Sequence, residues 1–180
     1  MKFHFFLILF FILVNKINAM DLLQKTELEN SSKKWEFVSD KVMGGISEGK
    51  FEILKNKKNN FLRLSGVVST ENNGGFIQIR SNFDIDEGNF NGIRITARGL
   101  PSEYFIHIRT SFLLLPWQYY SGKFVVSDVW EDHEILFKDF EKSNFYQPSL
   151  FSSSDIKSIG FVAFGKNFEA QLDIVQAELF

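Results

Sequence analysis

Between Gly92 and Arg98 the chain alternates strictly, with Ile93, Ile95 and Ala97 on one side and Arg94, Thr96 and Arg98 on the other. The same period of two recurs where Tyr104, Ile106 and Ile108 oppose Phe105, His107 and Arg109. Upstream, Ile77 and Ile79 oppose Phe76, Gln78 and Arg80. Successive side chains of an extended strand point to opposite faces, so each stretch predicts a strand with one face on a core and the other in water. Short runs rich in β-branched and aromatic residues continue this theme. They predict strands at 35–38, 49–54, 61–68, 75–80, 92–98, 104–110, 118–126, 130–137, 158–164 and 168–179. Turn residues separate them at Gly44-Gly45, 56–60, Asn72-Asn73-Gly74-Gly75, 87–89 and Gly165-Lys166-Asn167. No long segment carries a helical period. The pattern predicts an all-β sandwich or barrel.

The first residues follow a different rule. Lys2 precedes an apolar run, 3–14, in which His4 is the sole polar residue, and Ile17-Asn18-Ala19 then ends on a small side chain. That order predicts a signal peptide over 1–19, cleaved after Ala19. The run is shorter than the roughly 20 residues a spanning helix needs, so no stable transmembrane span is expected. The segment has no Arg, unlike a mitochondrial presequence. The expected location is the bacterial periplasm; the alternative is a chain anchored to the membrane by its N-terminus. Residues 20–34 are polar apart from points such as Leu22, Leu23 and Leu28, and predict a short helix or an ordered arm. Residues 35–180 contain no linker or repeat and are expected to form one domain.

Composition narrows the chemistry. The chain has no cysteine, which removes disulfides, a thiolate nucleophile and a Cys-based zinc site. A disulfide-free exported domain suits the periplasm better than a small extracellular scaffold. The formal charge of −2 becomes more acidic if Lys2 and Lys16 leave with the leader, which argues against a nucleic-acid partner. Five of the 22 phenylalanines lie in the first eleven residues, and the other 17, spread along the body, suit an aromatic-rich β core.

Candidate chemistry is sparse. His107 and His133 are isolated in sequence, and the chain has no His-Glu-x-x-His pair, no Gly-x-Ser-x-Gly elbow and no phosphate-binding loop. The protein is therefore expected not to be an enzyme, and to need no cofactor. Asp84 and Asp86 offer hard oxygen ligands for a structural Ca²⁺, but their spacing does not match the EF-hand pattern and a solvated acidic turn is the preferred reading. Candidate binding residues fall in two groups. If their strands are neighbours, Gln78, Arg80, Arg94, Arg98, His107 and Arg109 share one basic sheet face, with guanidinium forks suited to carboxylate, phosphate or sugar hydroxyls. Trp117, Tyr119 and Tyr120 form an aromatic cluster suited to a sugar ring or a protein interface, and alternation sends Tyr119 and Tyr120 to opposite faces. An ordinary wet face accounts for the first group as well.

At 35–49 the chain reads Trp-Glu-Phe-Val-Ser-Asp-Lys-Val-Met-Gly-Gly-Ile-Ser-Glu-Gly, and at 71–76 Glu-Asn-Asn-Gly-Gly-Phe, followed by Arg80. With Gly66, Trp117, Trp130, Phe137 and Phe161 in the same order, this resembles the complex I intermediate-associated protein 30 family over roughly 35–180. The resemblance implies a galactose-binding-like jelly-roll β-sandwich of two antiparallel sheets. It also implies a non-catalytic role through protein–protein contacts, since mitochondrial members help assemble the respiratory NADH dehydrogenase. A protein partner such as a membrane complex is then expected. The alternative is a carbohydrate- or small-ligand-binding module using the sheet face or the aromatic cluster. Asp40, Met43, Gly44, Gly45, Asn72, Asn73, Gly74 and Gly75 belong to the family-signature loops, and a structural job explains them: an aspartate accepting backbone N–H bonds, and Asn and Gly taking tight turns.

Overall fold

The computed structural model describes residues 19–23, 35–55, 59–85 and 89–180. Twelve strands build it: β1 (Met20–Asp21), β2 (Glu36–Ser39), β3 (Glu48–Lys55), β4 (Asn60–Val68), β5 (Phe76–Asn82), β6 (Gly92–Gly99), β7 (Ser102–Thr110), β8 (Tyr120–Val126), β9 (Glu131–Leu136), β10 (Glu141–Lys142), β11 (Ile156–Phe164) and β12 (Phe168–Leu179). They form two antiparallel sheets. Sheet I runs β3-β4-β12-β6-β9, with β1 paired to the C-terminal end of β12. Sheet II runs β10-β8-β7-β11-β5-β2.

Period-two patterning makes the sandwich. Sheet I turns Leu62, Leu64, Ile93, Ile95, Ala97, Leu172 and Ile174 inward; sheet II answers with Ile77, Ile79, Tyr104, Ile106, Ile108, Tyr120 and Phe161. Burying each large apolar side chain contributes about 1.5–3 kcal/mol. β12 is long enough to fall out of phase with the core, and a register shift between Ile174 and Gln176 corrects it, so that Ala177 and Leu179 are buried as well. Tyr104 spends its hydroxyl on the Leu100 and Gln171 carbonyls, and burial pushes its pKa up to about 12.

Every strand expected from the alternation is present. β1 and β10 are additional, and at two residues each they are too short to show a period. At the start of the expected arm, Met20–Asp21 is a strand and Leu22 and Leu23 are fully buried. The rest of the expected arm, the expected leader through Asn18, residues 56–58 of the expected 56–60 turn, and Asp86 with Glu87 and Gly88 lie outside the described residues.

One expectation fails in three dimensions. β6 does not lie beside β5 or β7; it sits in the opposite sheet, between β12 and β9. The chain crosses from one layer to the other between β5 and β6 and returns between β6 and β7, so these three consecutive strands alternate sheets. Arg94 and Arg98 therefore share no face with Arg80, His107 and Arg109.

Candidate functional site

The two signature stretches meet around one side chain. Ser39 closes β2, and the chain then tightens into a 3-10 turn, Asp40–Met43. Asp40 is fully buried there. One carboxylate oxygen accepts the Ser47 backbone N–H at 2.9 Å. The other accepts the Gly75 N–H at 2.6 Å, the Phe76 N–H at 3.2 Å and the Ser47 hydroxyl. Burial alone would raise the Asp40 pKa; the hydrogen bonds from Ser47, Gly75 and Phe76 outweigh it and hold the carboxyl below its ordinary value.

Each glycine pair divides its labour. Gly44 and Gly75 take φ of 93° and 131°, a region that disfavours other residues. Gly45 and Gly74 leave room for the carboxylate: a Cβ on either would stand 2.3 Å or 2.5 Å from Asp40 atoms. Asn72 and Asn73 take left-handed φ of 56° and 58°, a conformation that Asn tolerates better than most residues.

With the polar half of the loop turned in, its apolar half faces out. Val42 is 77% exposed and Met43 59%, with Ile46 and Val67 also exposed. Lys41 pairs with Glu48 at 2.7 Å beside them. A groove of about 630 Å³ opens alongside, lined by Ser39, Lys41, Glu48, Lys50, Ser65 and Glu169 among others.

Gln78, Arg80, His107, Arg109 and Tyr119 come together on the outer face of sheet II. The register places Arg80 and His107 on either side of Gly160, and Gln78 and Phe105 on either side of Val162. A Cβ on Gly160 would meet the Gln78 amide oxygen at 2.9 Å. Tyr119 lies flat on His107, ring centres 4.0 Å apart, with Phe164 edge-on to both. Burial pushes the His107 pKa down to about 3, so the ring is neutral, and its Nε2 has no hydrogen-bond partner among the described residues. Arg80 is paired with Glu36 at 2.6 Å. Arg109 donates to the Leu113 and Leu115 carbonyls at 3.5 and 3.2 Å.

The remaining candidates scatter. Arg94 is held by Glu134 and Glu178, both at 2.7 Å, and Arg98 by the fully buried Asp173 at 3.2 Å. Arg63 grips the same Asp173 through two bonds, at 2.6 and 2.7 Å. Tyr120 is a core residue whose hydroxyl donates to the Pro148 carbonyl, and Trp117 projects from the 111–119 loop, 55% exposed. Asp84 is paired with Lys157 at 2.9 Å. Among the described residues no cluster of three or more His, Asp or Glu could hold a metal ion. Sequence reasoning did not single out Val42, Ile46 and Val67, because an apolar residue in a strand-rich chain carries the same signal as core.

Comparison with known proteins supplies a frame for this geometry. No curated protein matches the sequence. The fold resembles the family 11 carbohydrate-binding module of a cellulosomal cellulase of Clostridium thermocellum (TM-score 0.66, 18% identity, 82% of this chain and 87% of that one). The same module in complex with a β-1,3-1,4-mixed-linked tetrasaccharide matches with TM-score 0.64 and 18% identity, over 82% and 88% of the two chains. A family 30 carbohydrate-binding module of another Clostridium thermocellum cellulosomal cellulase matches at TM-score 0.54 and 13% identity, over 81% and 90%. Identities this low show the shared β-sandwich. The family itself is given by the sequence model of complex I intermediate-associated protein 30, which matches residues 22–174 and places this chain in the CIA30 family.

Proposed function

We propose that this chain is a non-catalytic binding protein that engages a protein partner through the Asp40 loop, in the manner of a complex I assembly factor. The observation that carries the reading is the split within the signature. Asp40, Gly45, Ser47 and Gly74 explain the loop's shape, whereas Val42 and Met43 take no part in holding it and are exposed. A rigid loop displaying apolar side chains beside a groove binds without a large ordering cost. The partner it fits presents an apolar segment flanked by charges of both signs, to meet Lys41, Glu48, Lys50 and Glu169 at the groove rim.

The leader over 1–19 supports export, with the processed protein meeting a membrane complex from the periplasmic side. Fractionation with N-terminal sequencing tests this, since a periplasmic product should begin at Met20. The binding reading is tested by affinity purification from envelope extracts. Val42→Ser with Met43→Ser should lose respiratory-complex subunits while melting at the native temperature. Unchanged recovery of those subunits, or their absence from the unmutated bait, would sink it.

A second reading places a sugar on the outer face of sheet II. The Tyr119–His107–Phe164 group supports it as a stacking platform, with Gln78 and Arg109 positioned as hydrogen-bond donors beside it. Glycan-array signal that disappears in Tyr119→Ala would favour this reading; a blank array would remove it.

A further inference from the structure

The end of the sandwich opposite the Asp40 loop carries a second apolar surface. β7 and β9 both run toward it, and the loops 111–119 and 143–152 cover it. Leu114 (86%), Trp117, Phe145 (87%), Tyr146 and Leu150 are all exposed there. These loops are well tied down. Gln147 is buried; its amide donates to the Tyr119 carbonyl at 3.1 Å and accepts from the Ser143 hydroxyl at 2.8 Å. The Lys142 ammonium donates to the Phe145 and Gln147 carbonyls, each at 3.0 Å. Polar groups are turned inward and satisfied while aromatic and aliphatic tips point outward, the reverse of an ordinary surface loop.

The N-terminus marks the same end. Met20 pairs with Leu179, so the chain enters the sandwich here, directly after the sequence that contains the apolar run 3–14. The corner is continuous with the loops. The Asn91 N–H donates to the Phe180 carbonyl at 2.7 Å, and the Phe137 N–H to the Asn91 carbonyl at 2.8 Å. Phe137 then packs on Phe151, and Phe151 on Tyr120. Charge at this end is mixed: Lys142 is engaged with carbonyls, Lys157 with Asp84, and the exposed Lys138 and Asp139 are adjacent and of opposite sign.

From this arrangement we infer that the loop tips around Trp117 and Phe145 seat in the headgroup zone of a lipid bilayer. Trp and Tyr favour that zone, and exposed apolar tips gain by entering it. The sandwich then stands on the membrane with the Asp40 loop at its far end. This inference does not depend on the partner-binding reading.

The test uses the full chain with phosphatidylcholine vesicles carrying brominated acyl chains, which quench tryptophan on contact. Trp35 is buried in the core and Trp130 packs under Arg98, so Trp117 is the reporter. We expect quenching in the unmutated chain and its loss in Trp117→Phe. Leu114→Ser with Phe145→Ser should weaken vesicle partition at least about tenfold with little salt dependence, since each exposed apolar side chain adds its own transfer energy. Those side chains are exposed, and an unchanged circular dichroism spectrum would verify folding. Absent quenching, or equal quenching in Trp117→Phe, overturns the proposal even if the chain co-sediments through its N-terminal stretch. Binding that requires anionic lipid and vanishes in salt overturns it too.

Discussion

The Asp40 carboxylate and the Gly75 backbone N–H, 35 residues apart in sequence, are joined by a 2.6 Å hydrogen bond. This bond ties the Val-Ser-Asp-x-Val-Met-Gly-Gly stretch to the Asn-Asn-Gly-Gly-Phe stretch, and with the bonds to Ser47 and Phe76 it makes one buried anion the fastener of both loops. Asp40→Ala would leave several buried N–H donors without an acceptor. The expected loss is about 3 kcal/mol, read by urea denaturation, with Ser47→Ala costing about 1 kcal/mol. A loss within 0.5 kcal/mol for Asp40→Ala would mean that water replaces the carboxylate freely.

The two members of the Gly44-Gly45 pair should respond unequally. Gly45→Ala drives a methyl into the Asp40 carboxylate and should cost about 2–3 kcal/mol. Gly44→Ala meets no atom within 4 Å and suffers only from its φ of 93°, at a cost of about 1 kcal/mol. Equal melting temperatures for the two variants would contradict this ordering.

Stability should depend on pH through His107 and Asp40, and in the same direction. The folded His107 has its pKa pushed down to about 3, so the unfolded chain binds the extra proton first as pH falls through the ordinary histidine range. Stability contributed by keeping the ring neutral is present above about pH 6.5 and is lost progressively toward pH 3. Asp40 is lowered in the folded state, so its contribution is present above the ordinary carboxylate pKa and fades below it. His107→Phe should flatten the part of the stability profile that His107 contributes, between about pH 3 and 6.5, and leave the Asp40 contribution in place. A profile identical to the unmutated chain would refute the assignment to His107.

On sheet I, Asp173 is fully buried between Arg63 and Arg98. Asp173→Ala leaves two guanidinium groups facing each other without their shared anion, and should cost about 3–4 kcal/mol. Arg94→Ala, whose partners are more open to water, should destabilise far less than Asp173→Ala. Thermal melts of the two variants would show whether burial sets the difference.

Much of the fold was legible because alternation reports a physical fact, the side of the strand that meets the core. Arg94, Thr96 and Arg98 were correctly opposed to Ile93, Ile95 and Ala97, and Tyr119 to Tyr120. Alternation says which face a residue takes but not which sheet its strand joins, and that is why Arg94 and Arg98 were grouped with Arg80 and Arg109. Charge was misleading for a related reason: an arginine in sequence looks like a free cation, while the cross-strand neighbours that neutralise Arg80, Arg94 and Arg98 are 40 or more residues away. The apolar tips at Val42, Met43, Leu114 and Phe145 were hidden in a chain where most such residues are buried, because exposure is decided by loop anchors such as Asp40 and Gln147.

The place of β11 and β12 in the sheets has a consequence for how the chain comes to be folded. β12 lies between β4 and β6, and β11 between β7 and β5, so the last two strands in chain order are interior strands of both layers. Until they emerge from the ribosome, each sheet exists at most as two separated pieces with open edges, and the pairing that joins those pieces waits for two late strands, one in each layer. Such a chain can complete neither sheet until its last two strands have been made, which favours a folding step that follows synthesis rather than accompanies it.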